Sequence, residues 1–156
     1  MLLLQPGDPA PDFSAVTQDG ERVQLSDFRG RSNVVLYFYP KDFTRGCTAQ
    51  ACSFRDHYGR LSIHNAVIFG VSRDDGSSHR KFSSLHRLPF PLLTDATGSI
   101  AKSYGAARML GPVKRVTFVI DRDGIIRDVQ HHEFAIGSHV ERVITALERI
   151  SKSKTP

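Results

Sequence analysis

The sequence predicts an α/β fold: a mixed central sheet flanked by helices, with an N-terminal β-hairpin. The first observation is a set of apolar runs rich in β-branched and aromatic residues, at 33–39, 66–71 and 116–120. Such runs are typical of strands that are buried on both faces. The second is a helical pattern between the first two runs, which predicts a crossover joining parallel strands. The third is a pair of Asp-Gly turns, at 19–20 and 123–124, each of which predicts an antiparallel hairpin.

The strands fall into two hairpins and a strand–helix–strand unit. The first hairpin pairs residues 12–17 with 21–25, and the second pairs the run at 116–120 with residues 125–130. A crossover supplies parallel strands, and the terminal hairpin adds antiparallel ones. The predicted sheet is therefore mixed, with helices packed on it.

Helices are expected at residues 44–61, 76–87 and 98–104, and a further one close to the end of the chain. This last helix is the clearest, because its apolar residues recur at helical spacing: they are Val140, Val143, Ile144, Leu147 and Ile150. We expect a single domain over residues 1–156, with a flexible polar tail at about 151–156.

Length and composition restrict the class of protein. The chain has 156 residues, a formal net charge of +5 and two cysteines. This length is enough for a core that buries roughly 70% of the unfolded chain's surface. Two cysteines are too few for a disulfide-framed secreted domain or a four-cysteine zinc site. They are therefore either inert core residues or reactive thiols.

Several locations and partners are not expected. The first residues carry no signal-peptide pattern, and no window approaches the roughly 18 apolar residues of a membrane span. We therefore expect a cytoplasmic protein with reduced thiols and no membrane partner. A basic nucleic-acid or anion-binding module is an alternative. Its charges should cluster on one face, whereas here they are interleaved with acidic residues, so no nucleic acid is expected as a partner.

Cys47 is the candidate reactive thiol. It falls in the first turn of the helix predicted from residue 44, where the helix dipole and unpaired backbone N–H groups favour a thiolate. Gly46 lets a substrate approach the backbone closely. On a helical projection Cys47 belongs to the apolar stripe that faces the sheet, although a cysteine on such a stripe is more often a small core residue.

Cys52 lies five residues after Cys47, about 140° around the same helix. Ideal helix geometry separates the two Cα atoms by about 8.6 Å, and a disulfide requires less than about 7 Å. The two cysteines therefore cannot be bonded while the helix is intact, and a bridge between them would require its first turns to unwind.

The spacing Pro40-x-x-x-Thr44-x-x-Cys47 matches the active-site motif of the peroxiredoxins. Residues 37–41 and 46–52 resemble the bacterioferritin-comigratory, or Q-type, branch of that family. The resemblance covers nearly the whole chain, from Gly7 to about Arg149, and includes the opening segment and the strand and turn at 115–124. It implies a thioredoxin-like sandwich, which agrees with the order of elements above.

The resemblance also implies a role for each matched residue. Cys47 corresponds to the peroxidatic cysteine, which attacks a peroxide and becomes a sulfenic acid. Thr44 corresponds to the threonine that bonds the thiolate and a peroxide oxygen, and Pro40 to the proline that shields the thiol from water. Arg115 corresponds to the arginine that stabilises the thiolate and the leaving oxygen. Cys52 corresponds to the resolving cysteine.

The implied activity is the reduction of hydrogen peroxide and small organic hydroperoxides, with an intrachain disulfide recycled by thioredoxin or a similar dithiol reductant. We expect a monomer, because an intrachain pair requires no partner subunit. We expect no cofactor and no metal ion. The run His131-His132-Glu133 looks ligand-like, but adjacent strand residues point to opposite faces of a sheet.

Three points stay open at this stage. A thiol–disulfide oxidoreductase on the same fold is the main alternative, although that chemistry favours two residues between the cysteines and this chain has four. Arg45, Arg55 and Arg108 compete with Arg115 as the charge beside Cys47. The loop at 105–114 is shorter than in several Q-type relatives, which bears on substrate preference.

Overall fold

The structure is a computed structural model that describes residues 2–131 and 136–153. Within these ranges the strands form one seven-stranded sheet. In chain order they are β1 (Ser14–Thr17), β2 (Arg22–Gln24), β3 (Asn33–Phe38), β4 (Ala66–Ser72), β5 (Leu92–Thr94), β6 (Val116–Ile120) and β7 (Ile126–His131).

The described helices pack around this sheet. They are α1 (Arg45–Asp56), α2 (Tyr58–Ser62), α3 (Gly76–His86), α4 (Ser99–Ser103) and α5 (Ile136–Ser153), together with a 3-10 turn at Leu25–Phe28. Within the described ranges, no helix is both long enough and apolar enough to cross a membrane.

The sheet is mixed, in the order β2-β1-β5-β4-β3-β6-β7. The central strands β3, β4 and β5 run parallel, and β6 lies antiparallel beside β3. The two predicted hairpins are present as β1–β2 and β6–β7. Gly20 and Gly124 in their turns both have positive φ angles, which glycine adopts without steric cost. The predicted fold class, including the N-terminal hairpin, is confirmed.

Two apolar layers cover the sheet, one on each face, and β3 is therefore buried along its whole length. Val34, Leu36 and Phe38 face a core shared with β1, β6 and α4. Val35 and Tyr37 face the other way, into a core shared with α1, α3 and α5. This alternation follows from the two-residue period of a strand, and it places α1 on the second layer.

The predicted helix at 44–61 is wrong in one respect, because it is broken at His57. That residue has φ −103° and ψ 9° and separates α1 from α2. Its Nδ1 lies 2.8 Å from the carbonyl oxygen of Ser53, one turn earlier. A side chain bonded to the i−4 carbonyl competes with the backbone hydrogen bond and disturbs the helix.

Two further details differ from the prediction. Strand β5 was not predicted, because three residues after Pro91 are too short to show a period, yet this strand joins the first hairpin to the rest of the sheet. Helix α5 continues to Ser153, whereas the polar tail was expected from about residue 151.

Candidate active site

Cys47 lies in the first turn of α1, just beyond the carboxyl end of β3. The strand ends at Phe38, residues 39–44 form a loop, and α1 begins at Arg45. The Cys47 side chain is 1% exposed and belongs to the apolar layer that contains Tyr37. The start of the helix presents backbone N–H groups at this point, and these favour negative charge on a sulfur or oxygen.

The positively charged guanidinium of Arg115 contacts the Cys47 sulfur. Its Nη2 donates to Cys47 Sγ at 3.3 Å, and its Nη1 donates to Gln50 Oε1 at 2.7 Å. The sheet explains the position, because the register pairs Phe38 with Val116, so Arg115 sits at the same edge as the loop after β3. A buried guanidinium held by a second partner favours the thiolate form of Cys47.

Gln50 connects Arg115 to the last helix. Because its Oε1 accepts from Arg115, its amide nitrogen faces His139 of α5, with 3.5 Å between Gln50 Nε2 and His139 Nε2. The Thr117 hydroxyl lies 2.5 Å from the same imidazole nitrogen. His139 Nε2 therefore acts as an acceptor, and Gln50, Thr117 and His139 are all buried. Elements β6, α1 and α5 together fix the guanidinium.

The loop before Cys47 is anchored by a buried ion pair. Asp42 Oδ2 lies 2.7 Å from His79 Nδ1, and both side chains are 0% exposed. The other imidazole nitrogen lies 3.2 Å from the Leu93 carbonyl oxygen. The two imidazole nitrogens therefore face acceptor oxygens on two different elements, one on the loop before Cys47 and one on β5. Tyr39 and Ser78 also donate to the Asp42 carboxylate, at 2.6 and 2.8 Å.

Phe43 follows this anchor in a strained conformation. Its φ angle is +65°, in the left-handed region that bulky residues rarely adopt. The ring is 51% exposed and packs edge-to-face on Phe82, with centroids 5.3 Å apart. Such strain persists only where surrounding contacts enforce it, and here the Asp42 anchor and the Phe82 ring hold the loop.

Thr44 and Pro40 precede Cys47 in the chain. Among the described residues, neither forms a hydrogen bond to the Cys47 sulfur. Thr44 is the N-cap residue of α1, and its hydroxyl donates to the Lys41 carbonyl oxygen at 2.8 Å rather than to the helix. Pro40 is partly buried and lies two residues after the end of β3. The structure therefore brings Cys47 and Arg115 into contact, and Thr44 and Pro40 belong to the loop that leads from β3 into α1.

Tyr37 lies under α1 as a neutral packing residue. Its ring stacks on Phe54 with centroids 4.7 Å apart. Burial above all, and then the charge of Cys47, raises the pKa of Tyr37 well above its usual value. The phenol therefore stays protonated and does not exchange protons with the thiol.

Cys52 occupies a second, more open position on α1. Both cysteines are unbonded, Cys47 buried and Cys52 partly exposed. The Cys52 sulfur lies 3.8 Å from Nδ1 of His86. Arg55 was an alternative to Arg115 as the charge beside Cys47. It donates instead to the His86 carbonyl oxygen, at 2.8 Å.

Sequence reasoning missed four polar residues of this site: Gln50, His139, Asp42 and His79. Gln50 and His139 each interrupt an apolar helix face, and a polar residue at such a position is a detectable signal. Asp42 and His79 gave no such signal, since their pairing depends on how the loop lies on α3. His132 and Glu133 of the predicted ligand-like run lie outside the described residues.

A thioredoxin-like sheet with a buried cysteine at a helix start and an arginine on its sulfur defines a thiol peroxidase of the peroxiredoxin class. A family model described as AhpC/TSA matches residues 6–129. The chain belongs to this family.

Similar proteins narrow the family to one branch. The chain is 36% identical over 153 residues to a putative peroxiredoxin bcp from Coxiella burnetii, covering 94% of this chain and 100% of that protein. It is 39% identical over 146 residues to the chloroplastic peroxiredoxin Q of Oryza sativa subsp. japonica, covering 92% and 67%. The predicted resemblance to the Q-type branch is confirmed, and the chain is a peroxidase.

Solved structures agree with this assignment. Peroxidoxin BcpB from Mycobacterium tuberculosis superposes with a TM-score of 0.89 at 38% identity, covering 94% of this chain and 98% of that one. A PrxQ mutant from Xylella fastidiosa gives 0.88 at 26% identity, covering 95% and 98%. The thioredoxin-like fold predicted from the sequence is therefore the fold of known relatives.

Proposed function

We propose that this peroxiredoxin reduces hydrogen peroxide and small organic hydroperoxides at Cys47. The observation that carries the proposal is the buried contact between Arg115 and the Cys47 sulfur at the start of α1. A cation and a helix N-terminus that converge on one thiol favour the thiolate, which is the nucleophile.

The first step is an attack of the Cys47 thiolate on one peroxide oxygen. A sulfur–oxygen bond forms, the O–O bond breaks, and its electron pair leaves with the second oxygen, which takes up a proton as water or an alcohol. Arg115 stabilises both the thiolate and the charge that develops on the leaving oxygen. Gln50 holds the guanidinium in place through its 2.7 Å hydrogen bond.

Thr44 and Pro40 prepare the pocket for this step. The proton of the Thr44 hydroxyl is directed to Lys41, which leaves its oxygen lone pairs to accept the O–H of a bound peroxide. Pro40 shields the thiol from bulk water. The exposed ring of Phe43 and the short loop at 105–114 would bear on which organic hydroperoxides enter.

Cys52 resolves the sulfenic acid on Cys47 as an intrachain disulfide. This role is supported by the two unbonded thiols on one helix, of which only Cys52 is partly exposed. The helical spacing of about 8.6 Å means that the first turns of α1 must unwind before the bridge closes. Thioredoxin or a similar dithiol then restores both thiols by exchange.

Residues 1–156 are proposed to act as one domain, and the enzyme to work as a cytoplasmic monomer. An intrachain cysteine pair completes the cycle without a partner subunit, and a reducing compartment maintains the dithiol.

Mass spectrometry after one equivalent of hydrogen peroxide tests the proposal. The wild type is expected to show a Cys47–Cys52 bridge within one chain, and Cys52→Ser a sulfenic acid on Cys47 that over-oxidises readily. Cys47→Ser is expected to abolish peroxide consumption with a thioredoxin system. Retained consumption by Cys47→Ser, or only an intermolecular bridge in the wild type, would refute the corresponding step. Reduction of protein disulfides without peroxide would favour the oxidoreductase alternative.

A further inference from the structure

Cys52 has a specific polar neighbour, the imidazole of His86. The sulfur and Nδ1 lie 3.8 Å apart, which is hydrogen-bonding distance for a thiol, and both side chains are partly buried. His86 is the last residue of α3. Its ring packs edge-to-face on Phe82 of the same helix, with centroids 5.1 Å apart, and this contact restricts the orientation of the imidazole.

The charges around this pair favour a proton transfer from sulfur to nitrogen. Arg55 donates to the His86 carbonyl oxygen at 2.8 Å and to Asp56 at 3.0 Å. The hydrogen bond to Asp56 raises the pKa of Arg55 against the opposing effect of burial, and the charge of Cys52 raises it further. The Arg55 guanidinium therefore lies beside this pair, and a nearby positive charge favours an anionic group over a neutral one.

The imidazolium that results is also stabilised by its position. His86 lies at the carbonyl end of α3, an eleven-residue helix, and the partial negative charge at such an end favours a cation. The neighbouring Arg87 is exposed, so solvent screens its positive charge. The dipole at the end of α3 and the guanidinium of Arg55 thus stabilise opposite halves of one ion pair.

We propose that His86 is a further catalytic residue, the base that activates Cys52; this rests on the proposed function. Its Nδ1 takes the proton of the Cys52 thiol while α1 is still helical. When the first turn opens, the thiolate attacks the sulfur of the Cys47 sulfenic acid. An S–S bond forms, the S–O bond breaks, and the hydroxide leaves with the electron pair. It takes the proton from His86, so a thiol and a sulfenic acid give a disulfide and water.

Rapid acid quenching followed by mass spectrometry separates the two chemical steps. The reduced protein is mixed with one equivalent of hydrogen peroxide, and the sulfenic acid and disulfide forms are followed in time. The variants are His86→Gln, which cannot serve as a base, and His86→Ala with and without added imidazole. His64→Gln is the control, because His64 precedes β4 and lies outside α1 and α3, the two helices that carry Cys52 and His86.

The sulfenic acid is expected to form at the wild-type rate in every variant. Disulfide formation should be about 100-fold slower in His86→Gln, the lower end of what a general base contributes. Imidazole should restore it in His86→Ala. In the wild type this rate should level off once the imidazole is neutral, whereas in His86→Gln it should keep rising with pH as the thiol ionises in solvent.

Two results would overturn the inference: a wild-type rate and pH profile in His86→Gln, or a slow His86→Ala that imidazole does not restore, which indicates a structural role. A wild type that forms no sulfenic acid on Cys47, or no intrachain bridge, would instead refute the proposed function and the inference with it. That failure is distinguishable because it appears before any substitution is made.

Discussion

Replacing Asp42 by Asn is expected to destabilise the protein strongly, because it removes a buried carboxylate that contacts the side chains of Tyr39, Ser78 and His79. The Asp42–His79 pair is 2.7 Å apart with both side chains at 0% exposure. Removing one member of such a pair costs about 3–5 kcal/mol. For a chain of this length, that free energy corresponds to a fall in Tm of about 6–20 °C.

The exposed pair between Arg60 and Glu141 is a matched control. Its N···O distance is 2.6 Å, but both side chains are 53% exposed, so Glu141→Gln should change the Tm little. The two pairs have similar N···O distances but opposite burial, so comparing them isolates the effect of excluding water.

Thermal unfolding of the reduced proteins at neutral pH, followed by circular dichroism, measures these differences. Asp42→Asn, His79→Gln and the double variant form a cycle. The double variant should lose less stability than the sum of the two single changes, because each single change already breaks the same pair. Additive effects, or a loss in Asp42→Asn no larger than in Glu141→Gln, would show that the buried ion pair is wrongly assigned.

Three other changes test separate parts of the structure. Arg115→Lys should slow Cys47 oxidation about 100-fold, because one ammonium group cannot replace the guanidinium that donates to both Cys47 and Gln50. Quenched-flow mass spectrometry measures this rate. A change below threefold would contradict the assigned contact. Gly70→Ala should lower the free energy of unfolding by about 1–3 kcal/mol, because the new Cβ would lie 2.8 Å from the Tyr37 ring. Gly59→Ala is the control, because its Cβ would meet nothing within 4 Å. Equal stability of the two variants would refute the argument. Burial alone would raise the pKa of Asp121, but hydrogen bonds from Arg127 and from backbone N–H groups lower it overall. The stability that Asp121 contributes is therefore complete above the usual carboxyl pKa and is lost as the pH falls through the lower folded-state value; Asp121→Asn should flatten the acid side of a Tm-against-pH curve, and an unchanged slope would contradict this.

The sequence predicted the parts of the fold that depend on local pattern. The buried strand at 33–39, the two Asp-Gly hairpins and a helix that begins just before Cys47 follow from periodicity and turn chemistry. Strand β5 was missed because its pairing is imposed by β4 and β1 rather than by its three residues. The break at His57 depends on a single side chain bonding to a carbonyl, which no periodic pattern records.

The residues of the site likewise divide into those that the sequence predicted and those that it did not. The motif spacing brought out Cys47, Thr44 and Pro40, which are close in sequence, and the resemblance to a family brought in Arg115 from 68 residues away. The pairing of Asp42 with His79 and of Cys52 with His86 depends on the docking of α3 against the loop and α1. Such tertiary contacts leave no signal in a single sequence when the residue types are common on surfaces.

The break at His57 leaves α1 only twelve residues long, and this ties redox chemistry to helix packing. Unwinding from Arg45 to Cys52 would leave one turn, too short to remain helical alone, so Phe54 would be drawn from its stack on Tyr37. In the proposed cycle, whatever free energy the packing of α1 contributes therefore opposes formation of the Cys47–Cys52 bridge. About 1.4 kcal/mol of it lowers the equilibrium preference for the disulfide tenfold, or about 30 mV in reduction potential. In that proposed cycle, the aromatic layer beneath the helix thus sets how readily a dithiol donor would return the enzyme to its reduced form.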